Sequence, residues 1–188
     1  MAVKKSSYTG SLSPEFALLG FLAQSASHGY LLHKRLTKDL NQIWHVSLSQ
    51  TYNILNRLES AGFIKGKLLR QSKLPSRREY YLTESGKQRF ENWLISPSRS
   101  SVKTIRVEFT TRLYFASLSD HELAEKIISD QRLATHKGIA KLIRVKEGIP
   151  ENQIFNNLAV NLRLKQLGSI LDWLEECQDV IHRQVQET

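Results

Sequence analysis

The stretch from Ser47 to Gly62 carries a row of hydrogen-bonding side chains along one side of a predicted helix. At about 100° per residue, the residues that share this side are Ser49, Gln50, Asn53, Asn56, Arg57 and Ser60. Amide and guanidinium groups can form paired hydrogen bonds with adenine and guanine edges in the major groove of DNA. The face carries no carboxylate. Any surface helix has a polar face, so the neighbouring elements must show whether this face indicates DNA binding.

Both ends of this helix are marked. Ser47 can cap the N-terminus, with Gln50 three residues later to complete a capping box. Gly62 fits the left-handed position that ends a helix. The inward side is predicted to consist of Leu48, Tyr52, Leu55 and Leu58.

Two shorter helices precede it. A strongly apolar helix is predicted over residues 14–25, where Ser13 is the N-cap and a proline takes the first helical position. After a break at residues 27–29, a second helix over residues 30–41 carries Lys34 among several basic side chains. Three helices with a short connection before the last one are typical of a helix-turn-helix.

A basic hairpin follows. Residues 63–70 and 78–83 can form two strands, and the tip between them contains Pro75, which favours a turn. Its basic residues are Lys65, Lys67, Arg70, Lys73, Arg77 and Arg78, with Glu79 as the one acid. A hairpin of this kind after a helix-turn-helix indicates the wing of a winged helix that contacts phosphates. The alternative is an exposed edge that lysine and arginine keep soluble.

Charge divides the chain into unlike halves. Residues 1–95 hold 14 Lys+Arg against 6 Asp+Glu, a net of +8, whereas residues 96–188 hold 13 against 12, a net of +1. The basic half is predicted to meet a polyanion. Cys177 is the only cysteine, so neither an intrachain disulfide nor a cysteine-based metal site is expected. No apolar run approaches a membrane span or a signal core, which favours a soluble cytoplasmic protein.

The predicted fold class is mainly α, within the α+β class: an N-terminal winged helix-turn-helix with a two-stranded wing, then an all-α dimerisation domain. The winged helix covers residues 1–95, of which 1–12 form a loose arm, and it closes with a helix that Thr83 caps. Residues 96–101 have a linker composition. The helical domain covers residues 102–188.

Three helices are predicted in this second domain, over residues 102–116, 123–146 and 152–185. The last is too long to bury its apolar stripe within three helices, so we expect a second copy of the chain to cross it. The alternative is packing on the two preceding helices alone. The predicted dimerisation stripe consists of Val160, Leu164, Leu167, Leu171, Leu174, Ile181 and Val185.

Three blocks resemble the PadR family of bacterial transcriptional regulators: residues 28–32 (HGYLL), 51–64 (TYNILNRLESAGFI) and 77–86 (RREYYLTESG). The tail, with EF at 108–109 and YF at 114–115, is similar to the longer-tailed branch of the family. That branch includes regulators of phenolic acid decarboxylase genes and relatives of the virulence activator AphA.

The resemblance implies a winged-helix domain, a helical dimerisation domain and a symmetric dimer on a palindromic operator. We expect a DNA-binding regulator, with repression as the favoured direction, whose partners are double-stranded DNA and a second copy of itself. Where the family often has proline, this chain has Asn53, which adds an amide to the outward face. The residues expected to contact DNA are Ser47, Ser49, Gln50, Thr51, Asn53, Asn56, Arg57, Lys34, Lys67, Arg70, Lys73, Arg77 and Arg78.

The resemblance also suggests control by a small-molecule effector, for which an aromatic compound is the working hypothesis. Aromatic residues that could line a pocket between the domains are Trp44, Trp93, Phe109, Tyr114, Phe115 and Trp173. The alternative is that they form ordinary core, which large aromatic side chains dominate.

Other classes of function find less support in the sequence. The six histidines are scattered, and neither a metalloprotease motif, a phosphate loop nor a nucleophile elbow is present, so we expect no catalytic residue, cofactor or metal. One rival is a winged helix that binds only protein partners. Another is a MarR-like regulator, which would dimerise through both termini, whereas the extended apolar stripe here lies only in the C-terminal part.

Overall fold

The computed structural model describes residues 13–69, 77–96, 98–99 and 101–186. It is mainly helical with one small antiparallel sheet, which confirms the predicted fold class. No helix in these ranges combines the length and apolarity that crossing a membrane requires. In chain order the elements are α1 (Glu15–Gln24), β1 (Ser27–His28), α2 (Gly29–Asp39), α3 (Leu48–Ser60), β2 (Ile64–Leu69), β3 (Arg77–Leu82), α4 (Glu84–Ile95), α5 (Val102–Thr104 continued by Ile105–Phe109 and Thr110–Ser119), α6 (His121–Glu147) and α7 (Ile154–Gln186).

The sheet has the strand order β1-β3-β2, and both strand pairs are antiparallel. The hairpin of β2 and β3 pairs along the full length of both strands, as predicted. The sequence predicted only a break at residues 27–29, but Ser27 pairs with Tyr80 and His28 pairs with Glu79. Two residues are too few to show the alternation that marks a strand in sequence. The third strand fixes the wing to the start of α2.

The ends of α3 are built as the sequence predicts. The backbone amide of Gln50 donates to Ser47 Oγ at 3.2 Å. The backbone amide of Ser47 donates to Gln50 Oε1 at 2.8 Å, which completes the capping box. Gly62 has φ +76°, the left-handed region that glycine enters without strain. These two local signals set where α3 begins and ends.

The inward side of α3 differs from the prediction. Its buried residues are Thr51, Ile54, Leu55 and Leu58. Leu48 and Tyr52, which the apolar pattern placed inside, are 39% and 38% exposed. Two overlapping stripes of similar spacing were available in the sequence, and contact with α2 selects the one that contains the small Thr51. The Tyr52 ring lies against Gly29, where an added Cβ would come within 2.6 Å of it.

One core runs through α1–α4 and α5. The helix α1 is buried on nearly all sides. Phe115 of α5 packs edge-on against Phe21 at 5.3 Å and against Phe90 of α4 at 5.4 Å. Gly20 makes room for this ring, since a Cβ there would lie 2.5 Å from it. The first helix of the C-terminal part therefore packs directly on the winged helix.

The predicted linker at residues 96–101 is tied to the tail. The Ser98 amide donates to Gln131 Oε1 of α6 at 2.9 Å, and Arg112 Nη1 donates to Ser98 Oγ at 2.9 Å. Ser98 is buried. The domain boundary there remains a prediction.

A π-helical stretch at Ile105–Phe109 interrupts α5, which the sequence predicted as a regular helix. The wider turn buries Ile105, Val107 and Phe109 on one side. Because such a turn inserts a single residue, it leaves little trace in a helical apolar pattern.

The helices α6 and α7 form an antiparallel hairpin. Asp120 caps α6, with its Oδ1 accepting from the Glu122 amide at 3.0 Å. Of the predicted dimerisation stripe on α7, the chain itself already buries Val160, Leu167, Leu174 and Ile181. Leu164 and Leu171 are half-buried, and the side chain of Val185 lies outside the described part. Intrachain packing, the alternative reading, accounts for this stripe.

Candidate nucleic-acid interface

The outward face of α3 is exposed over its whole length. Its exposed polar residues, with the cap, are Ser47, Ser49, Gln50, Asn53, Asn56, Arg57 and Ser60. Among them, Asn53 and Asn56 make no side-chain hydrogen bond with another described residue. Both amides therefore keep an acceptor and two donors available.

Gln50 is partly committed to the helix cap. Its Oε1 accepts a hydrogen bond from the Ser47 backbone amide. The amino group of the same side chain does not take part in the cap. Paired hydrogen bonds with adenine need both the oxygen and the nitrogen of an amide. The capping bond restricts how the Gln50 side chain can be oriented toward a base, whereas Asn53, one turn later, carries no such bond.

Thr51 does not belong to the outward face, and its predicted contact with DNA is wrong. The residue is fully buried. Its Oγ1 donates to the Ser47 carbonyl at 3.1 Å and lies 3.0 Å from His33 Nδ1. The side chain joins α2 to α3, so the hydroxyl that looked like a polar contact in sequence is an internal hydrogen bond.

Arg57 is bonded to the start of α1. Its Nη2 lies 3.3 Å from Glu15 Oε2 and 3.2 Å from Ser13 Oγ. Glu15 is buried and also accepts from Arg89 of α4 at 2.6 Å. The side chain of Arg57 remains 42% exposed. Its first role in this structure is to hold α3 against α1, and its predicted contact with a phosphate or guanine would add to that role.

The wing is joined to α3 through Glu59. Its Oε1 accepts from Arg78 Nη2 at 2.7 Å and from the Gly66 amide at 2.8 Å. Partial burial raises the pKa of Glu59, but the hydrogen bonds from Arg78 and Gly66, with the charge of Arg78, outweigh it and leave the pKa below its ordinary value. Arg78 is thus paired in the free protein.

Other basic side chains keep their charge toward solvent. Lys67 on β2 and Lys34 on α2 are both exposed. The predicted contacts of Arg70 and Lys73 lie outside the described residues, as does the side chain of Arg77. An open cleft of about 410 Å³ lies beside α3, at the foot of the outward face. Its lining is Ser13, Pro14, Trp44, His45, Val46, Gln50, Asn53, Ile54 and Arg57.

The aromatic residues considered for an effector pocket pack on one another and on the core. Trp44 Nε1 donates to Thr111 Oγ1 at 2.9 Å, and Trp173 meets Phe109 edge-on at 5.9 Å. Trp93 stacks on Phe16 at 4.5 Å. Burial raises the pKa of Tyr114, and a hydrogen bond from its hydroxyl to Asp39 adds to the increase. Of the six, Trp44 alone also lines the cleft beside α3.

A helix-turn-helix with an exposed amide face, a wing formed by the β2–β3 hairpin and a helical tail is the architecture of winged-helix transcriptional regulators. Residues 18–92 match the model of the transcriptional regulator PadR-like family, and residues 105–182 match that of the virulence activator alpha C-terminal region. Together the two matches cover most of the chain, which is therefore similar to the PadR-like transcriptional regulators, with a tail like that of the longer-tailed branch. The family consists of regulators and not of enzymes.

Two curated relatives show the same class. The chain is 32% identical over 117 residues to the negative transcriptional regulator PadR of Bacillus subtilis strain 168, an alignment that covers 62% of this chain and 64% of that protein. It is 23% identical over 180 residues to a probable transcriptional regulator of Mycobacterium tuberculosis, covering 88% of this chain and 95% of that protein.

Solved structures of the Bacillus subtilis protein are similar over most of the chain. The structure in complex with operator DNA is 27% identical, covers 89% of this chain and 98% of that one, and has a TM-score of 0.43. The structure with p-coumaric acid is 27% identical, covers 90% and 98%, and has a TM-score of 0.39.

Proposed function

We propose that this chain regulates transcription by binding an operator as a homodimer, with α3 of each copy in a major groove. The observation that carries the proposal is the outward face of α3, where Asn53 and Asn56 are exposed and bonded to no other described side chain. The wing follows directly and presents Lys67 to solvent. Amides specify bases, and a basic hairpin holds the phosphate backbone.

Within this face, Asn53 is the main base-reading residue of the proposal. It lies in the N-terminal half of α3, the part of a recognition helix that contacts base edges. The oxygen of Gln50 serves the helix cap, so its contribution would be smaller.

The test is titration of DNA from the upstream region of the gene itself, read by fluorescence anisotropy. Asn53→Ala should weaken operator binding by about 1–3 kcal/mol and leave a random duplex almost unaffected. The matched control is Asn92→Ala, an exposed asparagine on α4, which should bind like the wild type. Unchanged operator affinity in Asn53→Ala would disprove the base-reading assignment.

Phosphate contacts give a different signature. Lys67 is exposed and forms no described ion pair, so Lys67→Ala changes its charge and leaves the fold intact. It should weaken operator and random DNA alike and lower the slope of log affinity against log salt by about 1.8, roughly 0.9 for each copy in the dimer. An unchanged salt slope would remove Lys67 from the interface.

The dimer surface of the proposal lies at the tip of the α6–α7 hairpin. Leu142, Val160 and Leu167 are buried there, but they are separate from the main core. This part of the hairpin is therefore an arm of two helices, which bury only the side chains that lie between them. The large apolar side chains left exposed on it are Ile143, Val145, Ile154, Phe155, Leu158 and Leu162.

Phe155 is 85% exposed, and Leu158 and Leu162 continue its side of α7 at spacings of three and four residues. An apolar stripe of this kind on a soluble helix marks an interface. A second copy of the same stripe is its occupant in this proposal, since a two-fold contact is self-complementary. The dimer contact thus moves from the predicted stripe to the opposite, outer side of α7.

Sedimentation equilibrium tests this surface. Phe155→Glu should raise the dimer dissociation constant by about a hundredfold, the size of an interface hot spot, and weaken operator binding accordingly. Ile95→Glu, an equally apolar exposed position on α4, is the control and should stay dimeric. A Phe155→Glu variant with the same dimer dissociation constant as the wild type would exclude this contact.

Repression is the proposed direction, because the Bacillus subtilis relative is a negative regulator. Deleting the gene should then raise transcription of a reporter fused to the operator region. An aromatic effector is part of the same proposal, because Trp44 lines the open cleft beside α3. Titration with p-coumaric acid should quench tryptophan fluorescence to saturation, and a linear response without saturation would exclude that ligand class.

A further inference from the structure

Three side chains that are distant in sequence meet where the first turns of α6 lie beside the end of α7. Glu125 Oε1 is 2.9 Å from His121 Nε2 and 2.5 Å from His182 Nε2. The ligand atoms of the three side chains all lie within 4.8 Å of one another. In the described part of the chain, this is the one group of three or more histidine, cysteine or acidic residues so arranged.

The local fold explains the meeting. The Asp120 cap starts α6 at His121, and four-residue spacing puts Glu125 on the same face. His182 comes from α7, which runs antiparallel to α6. Arg132, two turns after Glu125, donates to Glu175 at 3.1 Å. Glu175 lies two turns before His182, so this bond belongs to the same register of the hairpin.

Two imidazoles and one carboxylate are a ligand set for a transition-metal dication. Zn²⁺ binds histidine nitrogen and carboxylate oxygen at about 2.0–2.2 Å. Tetrahedral geometry then places ligand atoms about 3.3–3.5 Å apart, so the two nitrogens need to move away from Glu125 Oε1 by less than about 1 Å. All three side chains are partly exposed, between 33% and 48%, which leaves water access to a fourth position. Mg²⁺ and Ca²⁺ prefer oxygen-only sets.

We infer that His121, Glu125 and His182 form a binding site for a transition-metal dication of the Zn²⁺ type. The bound ion would tie the first turns of α6 to the end of α7. Asp120 is the only residue between α5 and α6, and α5 packs on the winged helix. Ala124 and Ile181, next to the cluster in α6 and α7, belong to the main core. The site therefore lies at the base of the α6–α7 hairpin, where the hairpin joins that core, and occupancy would stiffen this base.

Isothermal titration calorimetry of the full, tag-free chain with ZnCl₂ tests the inference. About one ion should bind per chain, and MgCl₂ should give no heat of binding. His182→Ala and His121→Ala should each weaken Zn²⁺ binding by more than roughly tenfold, since each removes one of three ligands. Glu125→Gln, which keeps a hydrogen-bond acceptor but loses the charge, should weaken binding in the same direction.

The matched control is His136→Ala, because His136 is an exposed histidine on the same helix outside the cluster. It should bind Zn²⁺ like the wild type. Far-UV circular dichroism verifies that each variant keeps its helical content, and Glu125→Gln remains a test even if a histidine variant does not fold. Absence of Zn²⁺ binding by the wild type at about 100 μM, or equal binding by the wild type and His182→Ala, would overturn the inference.

Discussion

The helices α3 and α7 are both amphipathic, but they leave opposite kinds of surface uncovered. On α3, the chain buries Leu55 and Leu58 completely and leaves a face of amides and hydroxyls. On α7, it buries Leu167 and Leu174 and still leaves Phe155 exposed at the tip of the arm. The first helix has enough neighbours to complete its core, whereas the second has only α6 along the arm. In the proposed function, the complete core leaves a polar surface that binds DNA, and the incomplete one leaves an apolar surface that binds a second copy.

The largest expected effect is a difference in stability between substitutions at a buried and at an exposed position of α7. Leu174 is fully buried, so Leu174→Ala should lower the free energy of unfolding by about 2–5 kcal/mol. Phe155→Ala should change the stability of the monomer by less than about 0.5 kcal/mol, because its ring is exposed in the single chain. Urea unfolding below the dimer dissociation constant measures both. Equal losses would show that the arm is packed in cis like the rest of the core.

A smaller effect on stability is expected from alanine substitutions at two glycines, one in the shared core and one on α7. Gly20→Ala places a methyl group 2.5 Å from the Phe115 ring, and overpacking of this kind costs about 1–3 kcal/mol. Gly168 lies within α7 with nothing within 4 Å of an added Cβ. Gly168→Ala should therefore stabilise the helix by about 0.5–1 kcal/mol. Thermal unfolding should move in opposite directions for the two variants, and a stabilised Gly20→Ala would show that α5 can move away from α1.

The start of α3 gives a still smaller effect. Ser47→Ala removes the acceptor for the Gln50 amide and should cost about 0.5–2 kcal/mol of stability. Ser49→Ala, on the exposed face two residues later, should change stability by less than about 0.5 kcal/mol. Chemical unfolding monitored by circular dichroism distinguishes them. If both substitutions cost the same, the capping box would not be what fixes the start of this helix.

Features set by neighbouring residues could be predicted from the sequence. The capping box, Gly62 and the β2–β3 hairpin depend on residues a few positions apart, and the structure contains all of them. The inward side of α3 was only half predicted, because Leu48 and Thr51 lie on competing stripes. Only contact with α2, where His33 bonds Thr51, decides between them.

Features set by distant contacts could not be predicted in this way. The apolar stripe through Val160 and Ile181 was visible in the sequence, but its partner was not, because intrachain and interchain packing give the same spacing. The meeting of His121 with His182 depends on the register of the α6–α7 hairpin. The spacing of His121 and Glu125 is visible in the sequence, but only the three-dimensional structure brings His182 to them.

The smallest expected effect depends on pH and tests the link between α3 and the wing. The pKa of Glu59 lies below its ordinary value of 4.5 in the folded chain, so its ionised form stabilises the fold above that value. This contribution is lost as pH falls through the lowered pKa, where the carboxylate takes up a proton. Wild type should thus be more stable than Glu59→Gln at neutral pH, and the difference should shrink toward acid.

Arg78→Gln, which removes the partner, should reduce the same pH-dependent difference in urea unfolding measured at several pH values. A difference between wild type and Glu59→Gln that stays constant from neutral to acid pH would mean that the ion pair does not hold the wing to α3.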